Sequence, residues 1–456
     1  MEIDPSYLED ASGFRGFADR LLIPEHELEL AGVLAEASRQ RTPVTIAGGG
    51  TGVTGGRVAL GGWVISTEKL RRLEICGDHA LAGAGVPLKD LHAAASAAGR
   101  LYAPDPTETW ATVGGTVATN ASGARSFRYG STRRHVLSLR VAFMDGTLRT
   151  FARGDAVDFP LPSLPRTSAT KNTAGFPLRP GMDWVDLFIG SEGTLGVVTE
   201  ARLQLLPRVH HLLTGVVFFQ DDGHALDAVD AWRGVASLRM LEYMDGASLD
   251  LLRPRYPELP DRARSCLLYE QELDSPQQEH WEVEQWLHRL EAAAADVDGS
   301  WCAGSDADRE RFRRLRHALP ETVNNTVRRN GFSKLGSDYA VPLDRNREML
   351  SLYHGRLERE FAGRYVVFGH IGDAHVHVNI LPATEDEFGR GKELLWDLAR
   401  EAVRLGGTVS AEHGLGKRKA DLLKLQYTPE QIEAMRNVKR RMDPDWLLGR
   451  GNVFPG

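Results

Sequence analysis

The densest run of chemically capable side chains is Phe368-Gly369-His370-Ile371-Gly372-Asp373-Ala374-His375-Val376-His377-Val378-Asn379. Three of the chain's fifteen histidines fall in it. Side chains alternate faces along a strand, so His375 and His377 share one face, while His370 comes from the strand or turn before. A histidine pair on a strand is often structural, held by hydrogen bonds within the fold. Here a carboxylate and a fourth histidine accompany it, in Thr408-Val409-Ser410-Ala411-Glu412-His413-Gly414-Leu415-Gly416. Glycines bracket that run and predict a tight turn. Imidazoles with a carboxylate are a common divalent-metal set, and His413 adds a base of near-neutral pKa.

A second group is cationic. Residues 308–328 read as a helix carrying Arg311, Arg313, Arg314 and Arg316. Such a run is normally a solvated face, but a guanidinium turned inward suits bidentate recognition of a carboxylate. Lys334, in Phe332-Ser333-Lys334-Leu335-Gly336-Ser337-Asp338, is a further candidate.

A third group is made of backbone. In Val44-Thr45-Ile46-Ala47-Gly48-Gly49-Gly50-Thr51-Gly52-Val53-Thr54-Gly55-Gly56, glycine takes six of the nine positions after Ala47. Glycine admits φ > 0 and close ligand approach, and successive N–H groups there can nest an anion such as a pyrophosphate. Residues 50–55 fit G-x-G-x-x-G, and Glu74 lies where a ribose-binding acid would. That fingerprint must open a helix, whereas Arg57-Val58-Ala59-Leu60-Gly61-Gly62 leads to a second strand-like run, Trp63-Val64-Ile65-Ser66. The loop therefore joins strand to strand. A glycine-rich surface hairpin is the plain alternative. Two more glycine clusters follow, at 112–123 and 186–198.

Composition sets the bounds. The chain has 456 residues, 42% apolar and 26% charged, with net charge −7. That length suits two or three domains, and the acidic balance points away from nucleic acid. Cys76, Cys266 and Cys302 are too few and too scattered for a disulfide framework or an iron–sulfur set. A reducing cytoplasm fits them. Met1-Glu2-Ile3-Asp4-Pro5 lacks signal-peptide character, and no apolar run is long enough to span a bilayer.

The elements that must position these groups follow from periodicity. Helices are predicted at 25–39, 87–98, 223–233, 276–295, 308–328, 384–405 and 428–441. Strands are predicted at 79–83, 211–219, 237–243 and 266–270, with a hairpin turning at Asp145-Gly146. Residues 153–182 read as a long polar, proline-rich loop. The helices 384–405 and 428–441 are expected to cover the cofactor domain.

Taken together, the clusters resemble the vanillyl-alcohol-oxidase-type flavoproteins. More narrowly, they resemble the FAD-linked branch that oxidises D-2-hydroxy acids (D-lactate dehydrogenases, the glycolate oxidase catalytic subunit, D-2-hydroxyglutarate dehydrogenase). The matching residues are the first loop, Pro104-Asp105-Pro106, the Thr112–Gly123 segment, Tyr129-Gly130, His135-Val136-Leu137 and Gly190-Ser191-Glu192-Gly193-Thr194-Leu195-Gly196-Val197-Val198. The resemblance implies an α+β protein: a two-subdomain FAD-binding domain at 1–207, an α+β cap with an antiparallel sheet at 208–400, and a segment at 401–456 returning to complete the active site. FAD contacts are implied from Gly48, Gly49, Gly50, Thr51 and Gly52. Further contacts are implied from Pro104, Thr112, Gly114, Gly115, Asn120, Ser122, Gly123, Tyr129 and Gly130, and from Glu192, Gly193 and Val197. Covalent members commonly carry a histidine in the first loop. None stands at 47–56, so non-covalent FAD is implied.

The family's G-H-x-G-D-G-N-x-H-x-N and S-x-E-H-G motifs imply metal ligands His370, His377 and Glu412, with Asn379 near substrate. Ala374 replaces the motif glycine and His375 the asparagine, leaving His375 as an extra ligand or an outer partner. Gly449 stands where many relatives have asparagine. Arg316 falls where the family binds the substrate carboxylate. The expected activity is FAD- and divalent-metal-dependent (zinc or manganese) oxidation of a D-2-hydroxy acid, with His413 taking the hydroxyl proton as hydride passes to flavin N5. The rivals are a same-fold oxidase using O₂, a metal-dependent hydrolase with structural glycine loops, and a flavin-binding subunit without its own substrate. Electron acceptor (an electron-transfer protein, a quinone or O₂) and assembly, including a homodimer, stay open.

Overall fold

The structure, a computed structural model, describes residues 3–454. Three sheets carry the architecture. In the first, Arg20–Leu22, Trp63–Ser66 and Val44–Ala47 lie in that order, all parallel. Parallel neighbours usually need a helical crossover. Here the crossover is the glycine loop, and residues 48–62 contain no helix, as the two β-like runs predict. Arg57 pins it, donating to Gly48 O and to Ser6 O at 2.9 Å each. The helix Glu27–Arg39 covers this sheet with Leu30, Leu34 and Ala37. His26 caps it by accepting from Glu29 N at 3.2 Å, and acids fill its first turn. Glu74 lies far from any ribose role, paired with Arg72 at 3.0 Å on the surface.

The second sheet runs Leu73–Cys76, His79–Gly83, Val197–Gln204, Val136–Ala142, Leu148–Ala152, antiparallel throughout. The hairpin turns where expected, with Gly146 at φ +83°. The second glycine cluster does something its composition hides. It forms a short helix, Val113–Thr119, capped by Thr112 and stopped by Asn120 in the left-handed region. Gly114 is what lets this helix press on the sheet edge, since a Cβ there would meet Ala84 Cβ at 2.7 Å.

The third sheet has seven antiparallel strands in the order Asp296–Cys302, His211–Phe219, Ser265–Leu273, Leu238–Asp245, Tyr365–His370, His375–Ile380, Leu335–Gly336. Alternation sends Val217 and Phe219 to one face and Val216 and Phe218 to the other. The helices Asp222–Trp232 and Gln278–Ala292 cover the first face, and the 24-residue helix Asp306–Arg329 covers the second. Helix Glu385–Arg404 corrects the sequence expectation: it packs on this sheet, not on the cofactor-binding part. Gly391 meets Leu335 and Ile380, and Tyr339 Oη donates to Leu395 O. Helix Pro429–Met442 does return to the N-terminal part, where buried Lys439 donates to Thr194 O at 2.6 Å. Beyond it, Val44 N donates to Leu447 O and Gly449 N to Val44 O, both at 2.8 Å. Among the described residues no helix is long and apolar enough to cross a membrane.

Candidate active site

Two adjoining cavities meet at the histidine cluster. The first, about 300 Å³, is lined by Gly48–Gly52, Thr112, Gly114, Gly115, Ser122, Gly123, Glu192, Gly193 and Val197. It opens past Gly48, Gly49, Gly50 and Arg57 onto a wider mouth of about 1100 Å³. The second, about 430 Å³, is lined by Arg316, Lys334, His377 and Asn379, among others. His370, Glu412 and His413 line both and form the common wall.

The first cavity fits a dinucleotide. Its floor is backbone brought close: a Cβ on Gly49 would meet Trp110 O at 2.5 Å, and one on Gly48 would meet Thr112 Oγ1 at 2.9 Å. Four sequence candidates lie off its lining. Asn120 ends a helix and accepts from Arg133 N at 3.0 Å. Pro104 O meets His92 Nε2 at 3.0 Å. Tyr129 bonds Glu272 on the larger sheet, and Gly130, at φ +76°, ends the helix Ser126–Tyr129. These four shape the chain around the cavity. Gly449 lines the cavity without a side chain, and Asn452, three residues on, supplies the amide, donating to Glu192 O at 3.1 Å. Glu192, held at φ +53°, accepts from Leu415 N at 2.7 Å and Gly416 N at 2.6 Å, tying this cavity to the Glu412–His413 turn. Burial raises its carboxyl to about 7 even against those bonds.

The strand pair Tyr365–His370 and His375–Ile380 sets His370 opposite His375, joined by a tight turn with Ala374 at φ +52°. Glu412 Oε1 lies 3.0 Å from His370 Nε2, 3.5 Å from His377 Nε2 and 3.9 Å from His413 Nε2. A ring nitrogen of His375 joins the same group, with all ligand atoms of His370, His375, His377 and Glu412 within 4.8 Å of one another. His370 and His377 are held by a hydrogen bond on the far side of the ring, and His413 faces a carboxylate there. His370 Nδ1 lies 2.6 Å from Glu242 Oε1, His377 Nδ1 3.1 Å from Ser337 O, and His413 Nδ1 3.3 Å from Asp338 Oδ1. An outer carboxylate or carbonyl on each ring is how proteins orient metal-binding imidazoles, so the donor set fits a divalent cation. Glu412's other oxygen accepts from Ser122 Oγ at 2.6 Å and lies 3.4 Å from buried Lys171 Nζ.

Charge is concentrated here. Burial pushes the Glu242 carboxyl up, but His370 and Arg316 outweigh it and hold it well below the carboxylate range. Burial would lower His370, yet Glu242 and Glu412 raise it to about 9. Burial, opposed by Asp338 and aided by His377, lowers His413 to about 4. His413 still keeps 31% of its side chain open to the cavity, so a substrate can reach it. Lys334 has its ammonium lowered to about 8 by burial and by Lys419. Among the described residues, both amide atoms of buried Asn379 lack a hydrogen-bond partner. Arg316 lines the cavity with its Nε already 2.8 Å from Glu242 Oε2.

Glu242, Asp338, Lys171 and Ser122 were not singled out from sequence for this cluster, apart from Ser122 as a cofactor contact. Glu242 had one visible sign: it is an acid inside the run Leu241-Glu242-Tyr243-Met244, on a strand buried from end to end, and such acids are rarely unpartnered.

Comparison with known proteins identifies the family of the chain. Residues 18–152 match the family described as FAD binding domain, and residues 210–453 match FAD linked oxidases, C-terminal domain. The chain is similar to D-lactate dehydrogenase of Archaeoglobus fulgidus, at 30% identity over 94% of this chain and 90% of the relative. It is similar to glycolate oxidase subunit GlcD of Escherichia coli K12, at 30% over 100% and 87%. It is also similar to D-2-hydroxyglutarate dehydrogenase of Xanthomonas citri, at 28% over 95% and 89%. Among solved structures, an alkyldihydroxyacetonephosphate synthase shares the fold, with TM-score 0.65 at 15% identity over 94% of this chain and 75% of that one. The matches cover both halves of the chain and both walls of the site, and the protein therefore belongs to the FAD-linked oxidases as an FAD-dependent oxidoreductase.

Proposed function

We propose that the protein oxidises a small D-2-hydroxy acid to the 2-oxo acid with FAD and a divalent cation. The observation that carries this is the meeting of His370 Nε2, His377 Nε2 and Glu412 Oε1 at the wall between the two cavities. The names of the relatives, D-lactate dehydrogenase, glycolate oxidase subunit and D-2-hydroxyglutarate dehydrogenase, support the substrate class. When bound, FAD supplies a two-electron acceptor and the cation a Lewis acid for the hydroxyl and carboxylate oxygens.

The chain's own residues do the rest. His370, His377 and Glu412 would hold the cation. Arg316 and the unpaired amide of Asn379 would orient the carboxylate, with Lys334 on the same cavity wall. His413, neutral at physiological pH, would accept the hydroxyl proton at Nε2. A cytoplasmic location belongs to the same reading, since Cys76, Cys266 and Cys302 form no disulfide. The test is anaerobic bleaching of the flavin by a panel of D-2-hydroxy acids, with L-enantiomers as controls. If no member reduces the flavin of metal-loaded protein, the reading fails.

A further inference from the structure

His375 is the buried imidazole of the cluster that this reaction leaves without a task. None of its side chain is exposed. Its Nε2 lies 3.1 Å from Asp338 Oδ1. The other oxygen of Asp338 accepts from Ser410 Oγ at 2.8 Å and from the N–H groups of Ala411, Glu412 and His413 at 3.1, 3.2 and 2.9 Å. A carboxylate gathering that many donors is ionised and can only accept. His375 Nε2 must therefore carry the hydrogen and donate it to Asp338.

A neutral imidazole has one N–H, so this bond leaves Nδ1 with a lone pair. Among the described residues Nδ1 has no hydrogen-bond partner. A buried acceptor left empty is costly. Yet a ring nitrogen of His375 lies within 4.8 Å of the ligand atoms of His370, His377 and Glu412. His370 shows the same construction, with a carboxylate on one ring nitrogen and the cluster on the other. A carboxylate that fixes the tautomer and frees the opposite nitrogen is a device for binding a metal.

We infer that His375 is a fourth protein ligand, binding through Nδ1, so that three imidazoles and one carboxylate hold the cation. This rests on the metal reading above and sharpens it. Four protein ligands complete a tetrahedral shell and leave a four-coordinate Zn²⁺ no place for substrate. A six-coordinate cation would keep two open positions, enough for the hydroxyl and one carboxylate oxygen of a 2-hydroxy acid. Such a donor set would therefore suit a six-coordinate cation, for which Co²⁺ serves as the probe.

The test is X-ray absorption on FAD-loaded protein stripped by chelator and reloaded with Co²⁺. Affinity alone would not separate a ligand from an outer partner, whose loss also costs about 10–100-fold, whereas the imidazole count does. The expected result is six-coordinate Co²⁺ with three imidazoles in wild type and in His413→Asn, falling to two in His375→Asn. The wild-type spectrum decides even if that variant does not fold, and His375→Gln gives a second chance at the count. Two imidazoles in wild type, or three persisting in His375→Asn while His413→Asn drops to two, overturns the inference. Protein that keeps FAD but takes up no Co²⁺ removes the metal reading itself, a different failure.

Discussion

Arg316 Nε and Glu242 Oε2 stand 2.8 Å apart in a nearly sealed ion pair, with 12% and 5% of the two side chains exposed. The other Glu242 oxygen holds His370 at 2.6 Å. The proposed substrate clamp and the proposed metal ligand are therefore linked through one carboxylate. Arg316→Ala should raise KM for the hydroxy acid by about one to two decades, the value of a charge-assisted bond of roughly 1.5–3 kcal/mol. It should also weaken metal binding by about 10-fold, because Glu242 is left buried and unpaired beside His370. Arg316→Lys should recover the metal but not the KM. Metal dissociation constants and KM measured on the same preparations check both, and an unchanged KM would shift the carboxylate to Lys334.

His413 and Glu412 are neighbours that should fail differently. His413→Asn should keep FAD and metal while slowing anaerobic flavin reduction by about 10²–10⁴. Because the His413 imidazole is lowered to about 4, wild-type reduction should rise as pH climbs through that value and be flat above it. The variant should lack this limb. Glu412→Gln should lose metal first and recover partly with added metal. Stopped-flow reduction at the wild-type rate in His413→Asn would remove it as the base.

FAD should come away intact. The first cavity's lining contains no cysteine or tyrosine, and its histidines are His370 and His413 of the cluster. Acid precipitation is expected to release all the yellow colour. Prolonged chelation should abolish turnover with flavin still bound, since the glycine floor uses none of the candidate ligands. Flavin fluorescence travelling with the denatured band on a gel would contradict the first expectation.

Away from the site, Asp186 gathers Arg133, Arg153 and Arg179. Burial pushes its carboxyl up, but the arginines outweigh it and hold it far below the carboxylate range. The folded-state value thus lies beneath an unfolded value near 3.9. The stabilisation is complete above about pH 4 and is lost as pH falls further. Asp186→Asn should cost roughly 2–3 kcal/mol at pH 7, less than a fully buried pair because the arginines keep solvent contact. Its difference from wild type should shrink as pH falls below about 4 and vanish only below the depressed folded-state value. Parallel acid-dependent melting curves for the two proteins would show the network to be inert.

The parts legible in sequence were those with local periodicity. The period of two placed His375 and His377 together, the absence of a helix after Gly55 fixed the strand-to-strand loop, and bracketing glycines marked the Glu412–His413 turn. The outer partners were illegible, because Glu242 lies 128 positions from His370 and Asp338 lies 75 from His413. No spacing rule spans such gaps, and sheet order alone sets Leu238–Asp245 beside Tyr365–His370. The helix Val113–Thr119 was hidden for another reason. Its two glycines read locally as loop, whereas the use of Gly114 is close approach to Ala84.

The pairing of Val44 with Leu447 and Gly449 has a consequence for the order in which this protein is made. The strand Val44–Ala47 is an edge of its sheet, and its last partner leaves the ribosome about 400 residues later, roughly 20–80 s at ordinary synthesis rates. Through that interval the nascent chain exposes an unpaired strand edge next to an unframed glycine loop, a template for mispairing between polysomal neighbours. Cofactor capture is thus expected to wait for the segment around Leu447 and Gly449. A chain stopped at residue 442 should emerge colourless however much FAD is supplied, and in need of a chaperone.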